Sequence, residues 1–197
     1  MLLEKTNILE KTDQELVGLS LKNKEYYGYL IEKYQNNLRR YIMRLNNGKQ
    51  DDAEDVLQEV FIKVYKNLNG YDPSLKFSSW IYRIAHNETI SFLRKKNRRP
   101  TTYNFEIDAI KINSVKEDID IEGDIDKKIL AGDVSKIINV MDDKYKEVLL
   151  LRYMEDKDYR EISDILRKPP GTVATLLRQA KQKFKQELAQ RENHIQD

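Results

Sequence analysis

The spacing of apolar residues is the feature that most constrains the fold of this 197-residue chain. Apolar side chains recur three and four positions apart over long stretches, which is the period of an α-helix with one buried face. Residues that interrupt helices are scarce, with seven glycines and four prolines in the whole chain. The sequence therefore predicts an all-α protein.

A change of composition near Pro100 divides the chain into two small helical domains. The first is predicted over residues 1–99 and the second over residues 132–197. Between them, residues 100–131 alternate Ile with Asp and Glu, carry an acidic excess and show no sustained helical stripe. We expect this segment to be an acidic, flexible linker.

Several residues indicate where helices start and end. Thr12-Asp13-Gln14-Glu15 has the form of a capping box. One helix is expected from Asp51 to Asn69, and Ser78 is expected to cap the next. In the second domain, helices are expected near 134–141, 144–154, 159–167 and 172–190, with a Pro169-Pro170-Gly171 turn between the last two.

Composition excludes several kinds of site. The chain has no cysteine, which removes disulfides, thiol catalysis and cysteine-bound zinc. Its two histidines, His86 and His194, lie far apart, and no nucleophile–base pair or Gly-rich phosphate loop is present. We therefore expect neither an enzyme nor a cofactor. No apolar window has the length of a bilayer span, so we expect a cytoplasmic protein without membrane insertion.

The helix predicted from Asp51 carries an acidic face. A projection at about 100° per residue separates an apolar stripe from an opposite polar side. That polar side carries Asp55, Gln58, Glu59 and Ile62. Such a face is either solvated, with one exposed isoleucine, or a docking site for a basic partner helix with Ile62 as apolar anchor.

The following helix has a basic and aromatic face. Trp80, Arg83, Asn87 and Arg94 share one side of it, and they combine a stacking ring, two guanidinium groups and an amide. These groups stack on bases, hold phosphates and read base edges. Neighbours of the same character are Lys76, Phe77, Lys95 and Lys96. Two other interpretations remain: Trp80 belongs to the core, and the basic run is a solvated helix end.

The last two predicted helices have the layout of a helix-turn-helix. Apolar residues of the first would pack against those of the second. The opposite side of the second helix would present Thr172, Thr175, Arg178 and Lys181 to DNA. An ordinary helical hairpin would show a similar pattern.

Three segments, in this order, closely resemble the sigma-70 family of bacterial RNA polymerase specificity factors, in its compact extracytoplasmic-function group. AEDVLQEVFIKVY resembles the polymerase-binding helix, and FSSWIYRIAHN resembles the segment that opens promoters and reads the −10 element. DDKYKEVLLLRYMEDKDYREISDILRKPPGTV resembles the domain that reads the −35 element. The resemblance covers nearly the whole chain and implies a region 2-like domain followed by a region 4-like domain.

The resemblance also implies partners and residue roles. Core RNA polymerase, through its β′ clamp helices and β flap, and promoter DNA are the expected partners, with an anti-sigma protein as a further one. Asp55, Gln58 and Glu59 match positions that bind the clamp helices. Asn87 matches a position that contacts the −10 element, and residues 74–77 match a loop that captures a flipped base.

The chain departs from the family pattern at the recognition helix. Ala174-Thr175-Leu176 stands where Lys-Ser-Arg is frequent, and Arg167 replaces a frequent glycine. Two cations are therefore missing where −35 DNA would be read. Leu176 would either contact a thymine methyl or extend the core. The main competing function is a stand-alone helix-turn-helix regulator, which would bind a duplex tightly without polymerase.

Overall fold

The computed structural model describes residues 11–98 and 131–195, in which the secondary structure is helical and contains no strand. The helices fall into two compact units, each built mainly on one of these segments. The prediction of an all-α protein is therefore confirmed. The predicted linker lies outside the described residues except for Ala131.

The first unit contains four α-helices within residues 11–98. Short 3-10 helices at Lys24–Tyr26 and Leu68–Gly70 separate some of them. The α-helices are α1 (Asp13–Lys22), α2 (Tyr27–Leu45), α3 (Gln50–Asn67) and α4 (Phe77–Arg98).

A capping box starts α1, as the sequence predicts. The hydroxyl of Thr12 accepts a hydrogen bond from the amide of Glu15 at 3.3 Å. In return, the Glu15 carboxylate accepts one from the Thr12 amide at 2.8 Å. Hydrogen bonds from Thr12 lower the pKa of Glu15. These bonds satisfy two donors that the helix itself leaves unpaired.

The apolar stripe of α3 is buried against α2 and α4. Every residue that the projection assigns to this stripe is buried. They are Ala53, Val56, Leu57, Val60, Phe61, Val64 and Leu68. From the facing helices, Leu38 and Ile42 of α2 and Ile81 and Ala85 of α4 complete the core.

Two boundaries differ from the sequence prediction. The helix α4 begins at Phe77, because the amide of Trp80 already donates to the carbonyl of Lys76 at 3.2 Å. Ser78 is therefore not its N-cap and lies in the first turn. The helix α3 ends at Asn67, two residues early, because the chain tightens into the 3-10 helix that follows.

The second unit contains four α-helices within residues 131–195. The second of them continues as a π-helical turn, Leu150–Met154. The helices are α5 (Ala131–Val140), α6 (Asp143–Leu149), α7 (Tyr159–Leu166) and α8 (Pro170–Ile195). The apolar residues predicted to join α7 to α8 are buried, with Leu166 half-buried. They are Ile162, Ile165, Val173, Leu177, Ala180 and Phe184.

The predicted Pro169-Pro170-Gly171 turn is wrong in its boundaries. The amides of Thr172 and Val173 donate to the carbonyl of Pro169 at 2.9 and 3.1 Å, so Pro170 and Gly171 form the first turn of α8. Proline suits the first helical position because the amide it lacks has no intrahelical partner there. The connection between α7 and α8 is thus only residues 167–169.

Arg167 ends α7 in the left-handed region, with φ 51° and ψ 44°. Its own amide donates to the carbonyl of Ser163. The Lys168 amide donates to the same carbonyl at 3.2 Å, and the Ser163 hydroxyl donates back to the carbonyl of Lys168 at 2.6 Å. Glycine adopts this conformation without the clash that a Cβ atom causes.

We expect Arg167→Gly to stabilise the second unit. The left-handed conformation costs a non-glycine residue about 1–2 kcal/mol, and glycine removes this cost. Glycine also gives the unfolded chain more freedom, which reduces the gain in stability by about 0.5–1 kcal/mol. Urea denaturation followed by circular dichroism should show a net gain of about 0.5–1 kcal/mol. Lys168→Gly is the control, because Lys168 has a negative φ. An equal gain from both variants would contradict the explanation.

Lys146 is a buried lysine in α6. Its side chain is 3% exposed and donates to the Asn139 side-chain oxygen at 3.2 Å. Burial lowers its pKa to about 8, and the nearby Asp143 carboxylate offsets only part of this effect. The charged form is therefore less favourable in the folded chain than in the unfolded chain.

We expect Lys146→Met to stabilise the second unit most strongly near neutral pH. Below pH 8 both states carry the charge, so the penalty of burying it is complete, on the order of 3 kcal/mol. Between pH 8 and 10.5 the folded lysine is neutral while the unfolded one still holds its proton, so the wild-type protein gains stability.

The measurement is the difference in unfolding free energy between variant and wild type at pH 7 and pH 9.5. Taking the difference cancels the titration of other groups. Fluorescence of the single tryptophan, Trp80, identifies the transition of the first unit, so the second can be followed separately. A difference that does not shrink at pH 9.5 would show that charge burial is not the cause.

Candidate functional site

The polar side of α3 forms an exposed face. Asp55, Gln58 and Glu59 are exposed, and Ile62 is 45% exposed between them. This orientation follows from the buried stripe on the opposite side of the same helix. We call these four residues the acidic face.

The carboxylates of the acidic face differ from three other charged groups of α3. Ion pairs tie those three groups to the neighbouring helices. They join Asp52 to Lys96 at 2.6 Å, Glu54 to Arg39 at 2.9 Å and Lys63 to Glu88 at 2.5 Å. Within residues 11–98, no side-chain hydrogen bond or ion pair engages Asp55, Gln58 or Glu59. The negative charge of this face is therefore available to a molecule outside the chain.

Tyr65 extends the acidic face, and the projection from the sequence missed it. It lies one turn beyond Ile62, is 48% exposed, and rests its ring on Tyr27 at a centroid distance of 5.1 Å. The Tyr27 hydroxyl donates to the carbonyl of Phe61 at 2.6 Å, and burial raises the pKa of Tyr27. The signal in the sequence was the three-residue spacing from Ile62, which places both on one side of a helix.

The outward side of α4 carries a basic face. Asn87, Arg94 and Lys95 are exposed, and Arg83 is half-buried. Within the first unit's described residues, none of these four side chains is engaged by a hydrogen bond or ion pair. They offer two guanidinium groups, an ammonium group and an amide along about three turns of helix.

Phe77 and Trp80 do not belong to the basic face. They are only 2% and 8% exposed, and they pack in a cluster with Tyr34 and Tyr71. The ring of Phe77 lies 5.6 Å from that of Trp80. The prediction that these two rings are available to stack on bases is therefore corrected, and the alternative that Trp80 belongs to the core is confirmed. A helical projection could not reveal that the preceding loop covers this end of α4.

Lys96 is also set apart from its basic neighbours. Its ammonium group donates to both carboxylate oxygens of Asp52, at 2.8 and 2.6 Å, and lies 5.8 Å from the ring centre of Phe92. At 100° per residue, Lys96 lies 200° around the helix axis from Arg94, so its side chain points to nearly the opposite side, toward Asp52 of α3. Its predicted role in binding phosphate therefore stays a prediction, and this role would compete with the ion pair to Asp52.

The loop before α4 is a compact turn with exposed side chains. Asp72 accepts a hydrogen bond from the Ser74 amide at 2.9 Å through its carboxylate, and this bond lowers the pKa of Asp72. Ser74 and Lys76 are exposed, and Leu75 is half-buried. The loop thus presents polar groups beside the basic face of α4.

The outward side of α8 carries the predicted recognition residues. Thr172, Thr175 and Arg178 are exposed, and the Thr175 hydroxyl donates to the carbonyl of Gly171 at 3.0 Å. Leu176 is half-buried. Lys181 is half-buried, and its ammonium group lies 5.5 Å from the ring centre of Tyr153.

His86 serves the packing of the first unit. It is buried, and its Nδ1 atom lies 3.1 Å from the hydroxyl of the fully buried Tyr41. Among the described residues, no group of three or more His, Cys, Asp or Glu side chains could hold a metal ion. In the same part of the chain, no helix is both long and apolar enough to cross a membrane.

Two family models match the chain, one in each helical unit. The sigma-70 region 2 family matches residues 30–99, and the sigma-70 region 4 family matches residues 132–184. The acidic and basic faces both lie within the first match. Helix α8 begins within the second match.

Similar proteins match over most of their lengths. The extracytoplasmic-function (ECF) sigma factor SigW of Bacillus subtilis is 29% identical over 172 residues, which is 84% of this chain and 90% of SigW. The ECF sigma-E factor of Haemophilus influenzae is 28% identical over 183 residues, which is 87% of this chain and 92% of that protein.

Solved structures share the fold. CnrH, in complex with the cytosolic domain of CnrY, aligns with a TM-score of 0.65 at 17% identity, over 91% of this chain and 98% of CnrH. The sigma factor RpoE of Bartonella quintana, in complex with the anti-sigma factor NepR, aligns with a TM-score of 0.62 at 21% identity, over 83% and 96%. With both regions matched in order on this helical scaffold, the chain belongs to the sigma-70 family of RNA polymerase sigma factors, in its extracytoplasmic-function group.

Proposed function

We propose that this protein binds core RNA polymerase through the acidic face, directs it to a class of promoters and assists DNA melting. The observation that carries the proposal is the presence of two unengaged faces of opposite charge on adjacent helices, α3 and α4. The role is one of binding and positioning, while polymerase performs the chemistry. Its place of action is where polymerase works, in the cytoplasm.

The acidic face suits the β′ clamp helices of polymerase. Its carboxylates have no partner within residues 11–98, so no internal ion pair has to be broken before they meet a basic helix. Ile62 and Tyr65 supply apolar area next to those charges. An interface with an apolar centre and charged rim is the usual form of a specific protein contact.

The basic face suits the −10 element of a promoter. Arg83, Arg94 and Lys95 supply phosphate contacts, and Asn87 supplies an amide that can read a base edge. The exposed loop side chains, Ser74 and Lys76, lie where a base flipped from the non-template strand would be received. The rings of Phe77 and Trp80 pack against Tyr71 at the start of this loop.

The second unit suits duplex DNA at the −35 element. Thr172, Thr175 and Arg178 lie on the exposed side of α8, where the recognition helix of a helix-turn-helix meets the major groove. The β flap of polymerase is the protein partner that we assign to this unit. An anti-sigma protein is a further partner that we assign, since RpoE of Bartonella quintana is solved in complex with the anti-sigma factor NepR, and CnrH with the cytosolic domain of CnrY.

The direct test of the function is transcription from purified components. Adding the protein to core polymerase should produce transcripts that start at defined sites sharing an upstream motif. Sequencing of transcript ends identifies those sites. If core polymerase gains no promoter-specific initiation, the proposal fails; tight duplex binding without polymerase would instead favour a stand-alone regulator.

Charge reversal on the acidic face should weaken polymerase binding. We expect Asp55→Lys or Glu59→Lys to raise the Kd for core polymerase by about ten-fold or more, because a like charge then faces the basic clamp helices. Fluorescence anisotropy of a labelled chain measures the Kd. Glu25→Lys is the control, since it reverses an exposed acid outside α3. Equal weakening by all three variants would show that only net charge matters.

Lys95 and Lys96 form a matched pair for testing the basic face. Lys95→Ala should weaken promoter binding of the holoenzyme and reduce the slope of log K against log salt by about 0.7–0.9, the effect of one lost phosphate contact. Lys96→Ala should leave that slope unchanged and lower the unfolding free energy by about 0.5 kcal/mol, because its ammonium group pairs with Asp52. A reversed outcome would mean that Lys96 leaves Asp52 to bind DNA.

A further inference from the structure

The loop between α3 and α4 is closed by hydrogen bonds of its own. The hydroxyl of Tyr71 donates to the carbonyl of Leu75 at 2.5 Å. The Leu75 amide donates to the carbonyl of Asp72 at 3.1 Å, and the Asp72 carboxylate accepts from the Ser74 amide at 2.9 Å. Three bonds within five residues hold the backbone in one shape.

Tyr71 is itself held firmly. Its side chain is buried, and its ring lies edge-on to Phe77 at a centroid distance of 5.3 Å. A second contact places it 5.5 Å from the ring of Trp80. Because Phe77 and Trp80 are the first residues of α4, the hydroxyl of Tyr71 has a defined position relative to the basic face.

The helix α1 contacts the same loop. In the sequence, α1 lies before the segment that matches region 2. Gln14 donates from its side-chain amide to the carbonyl of Pro73 at 3.4 Å. Asp13 accepts from the hydroxyl of Tyr34, whose ring contacts Phe77 in the same aromatic cluster. Residues before position 30 thus complete the surroundings of the loop.

We propose that Tyr71 is a positioning residue for base capture: its hydroxyl fixes the Leu75 carbonyl, so that residues 74–76 receive a flipped base in a prefolded shape. The inference rests on the proposed promoter-opening function and deepens it. Tyr71 does not need to touch the base, and its action passes through the backbone that it holds.

The physical reason is preorganisation. Ordering a loop residue on binding reduces the backbone entropy, and this loss opposes binding. In a loop that is already ordered, the entropy is lost during folding and not on binding. More of the favourable energy of contact with the base is then left to offset the cost of unstacking it. The Tyr71 hydroxyl is protonated at neutral pH and can donate, and burial and the carboxylates of Asp13 and Asp72 raise its pKa further.

The experiment compares Tyr71→Phe with Tyr34→Phe in the holoenzyme. Each variant removes one hydroxyl from the same aromatic cluster and keeps the ring; the Tyr71 hydroxyl donates to the loop backbone, and the Tyr34 hydroxyl donates to Asp13. Promoter probes carry a single abasic site at each position of the −10 element in turn. Binding of each probe is measured by anisotropy, and affinity for core polymerase is measured in parallel.

With the wild-type protein, one abasic position should weaken binding, which identifies the captured base. Tyr71→Phe should weaken binding of the intact probe by about five-fold, the usual effect of one lost hydrogen bond, and should have no further effect on the probe abasic at that position. Affinity for core polymerase should not change. Asp72→Ala, which removes the bond to the Ser74 amide, should show the same dependence on that position.

The results distinguish the positioning role of Tyr71 from base capture by the loop. If no abasic position weakens wild-type binding, base capture by this loop is wrong. If one position does, but Tyr71→Phe acts equally on the intact and the abasic probe or no differently from Tyr34→Phe, the positioning role is wrong while base capture stands.

Discussion

Burial of the apolar stripe of α3 is the constraint on which the rest of the first unit depends. Ala53, Val60 and Val64 are fully buried between α2 and α4. Each buried valine contributes about 1.5–3 kcal/mol relative to an exposed one, so rotation of α3 about its axis would lose many times the energy of any surface contact. The acidic face points outward because this stripe points inward.

The charged side chains of α3 include two groups, those that pair with α4 and those of the acidic face. Asp52 and Lys63 of α3 pair with Lys96 and Glu88 of α4, which sets one helix in register with the other. Pairs of this exposure contribute little to stability, about 0–1 kcal/mol each, so their main effect is on geometry. Asp55 and Glu59 stay unengaged within the described part of this unit. The acidic face and the basic face are thereby held in a fixed relation to each other.

The second unit carries several local conformational costs. Asp156 and Arg167 both have positive φ, and Lys146 is a buried ammonium group. Each of these features opposes folding, and each lies at or beside a turn or helix that frames the recognition helix. This unit is also where the chain departs from the family pattern, at Arg167 and at Ala174-Thr175-Leu176. Sequence change and structural strain coincide at Arg167.

The sequence by itself determined the helices, the buried stripe of α3, the capping box at Thr12 and the family, because these follow from local spacing and short motifs. Only the tertiary structure decided the environment of Phe77, Trp80 and Lys96. A projection treats each helix as if it stood alone, so it cannot show that a loop covers the start of α4 or that Asp52 meets Lys96 across 44 residues of chain. Whether a side chain at the edge of a helical face is buried, paired or exposed depends on its neighbours in space. Those neighbours lie far from it in the sequence.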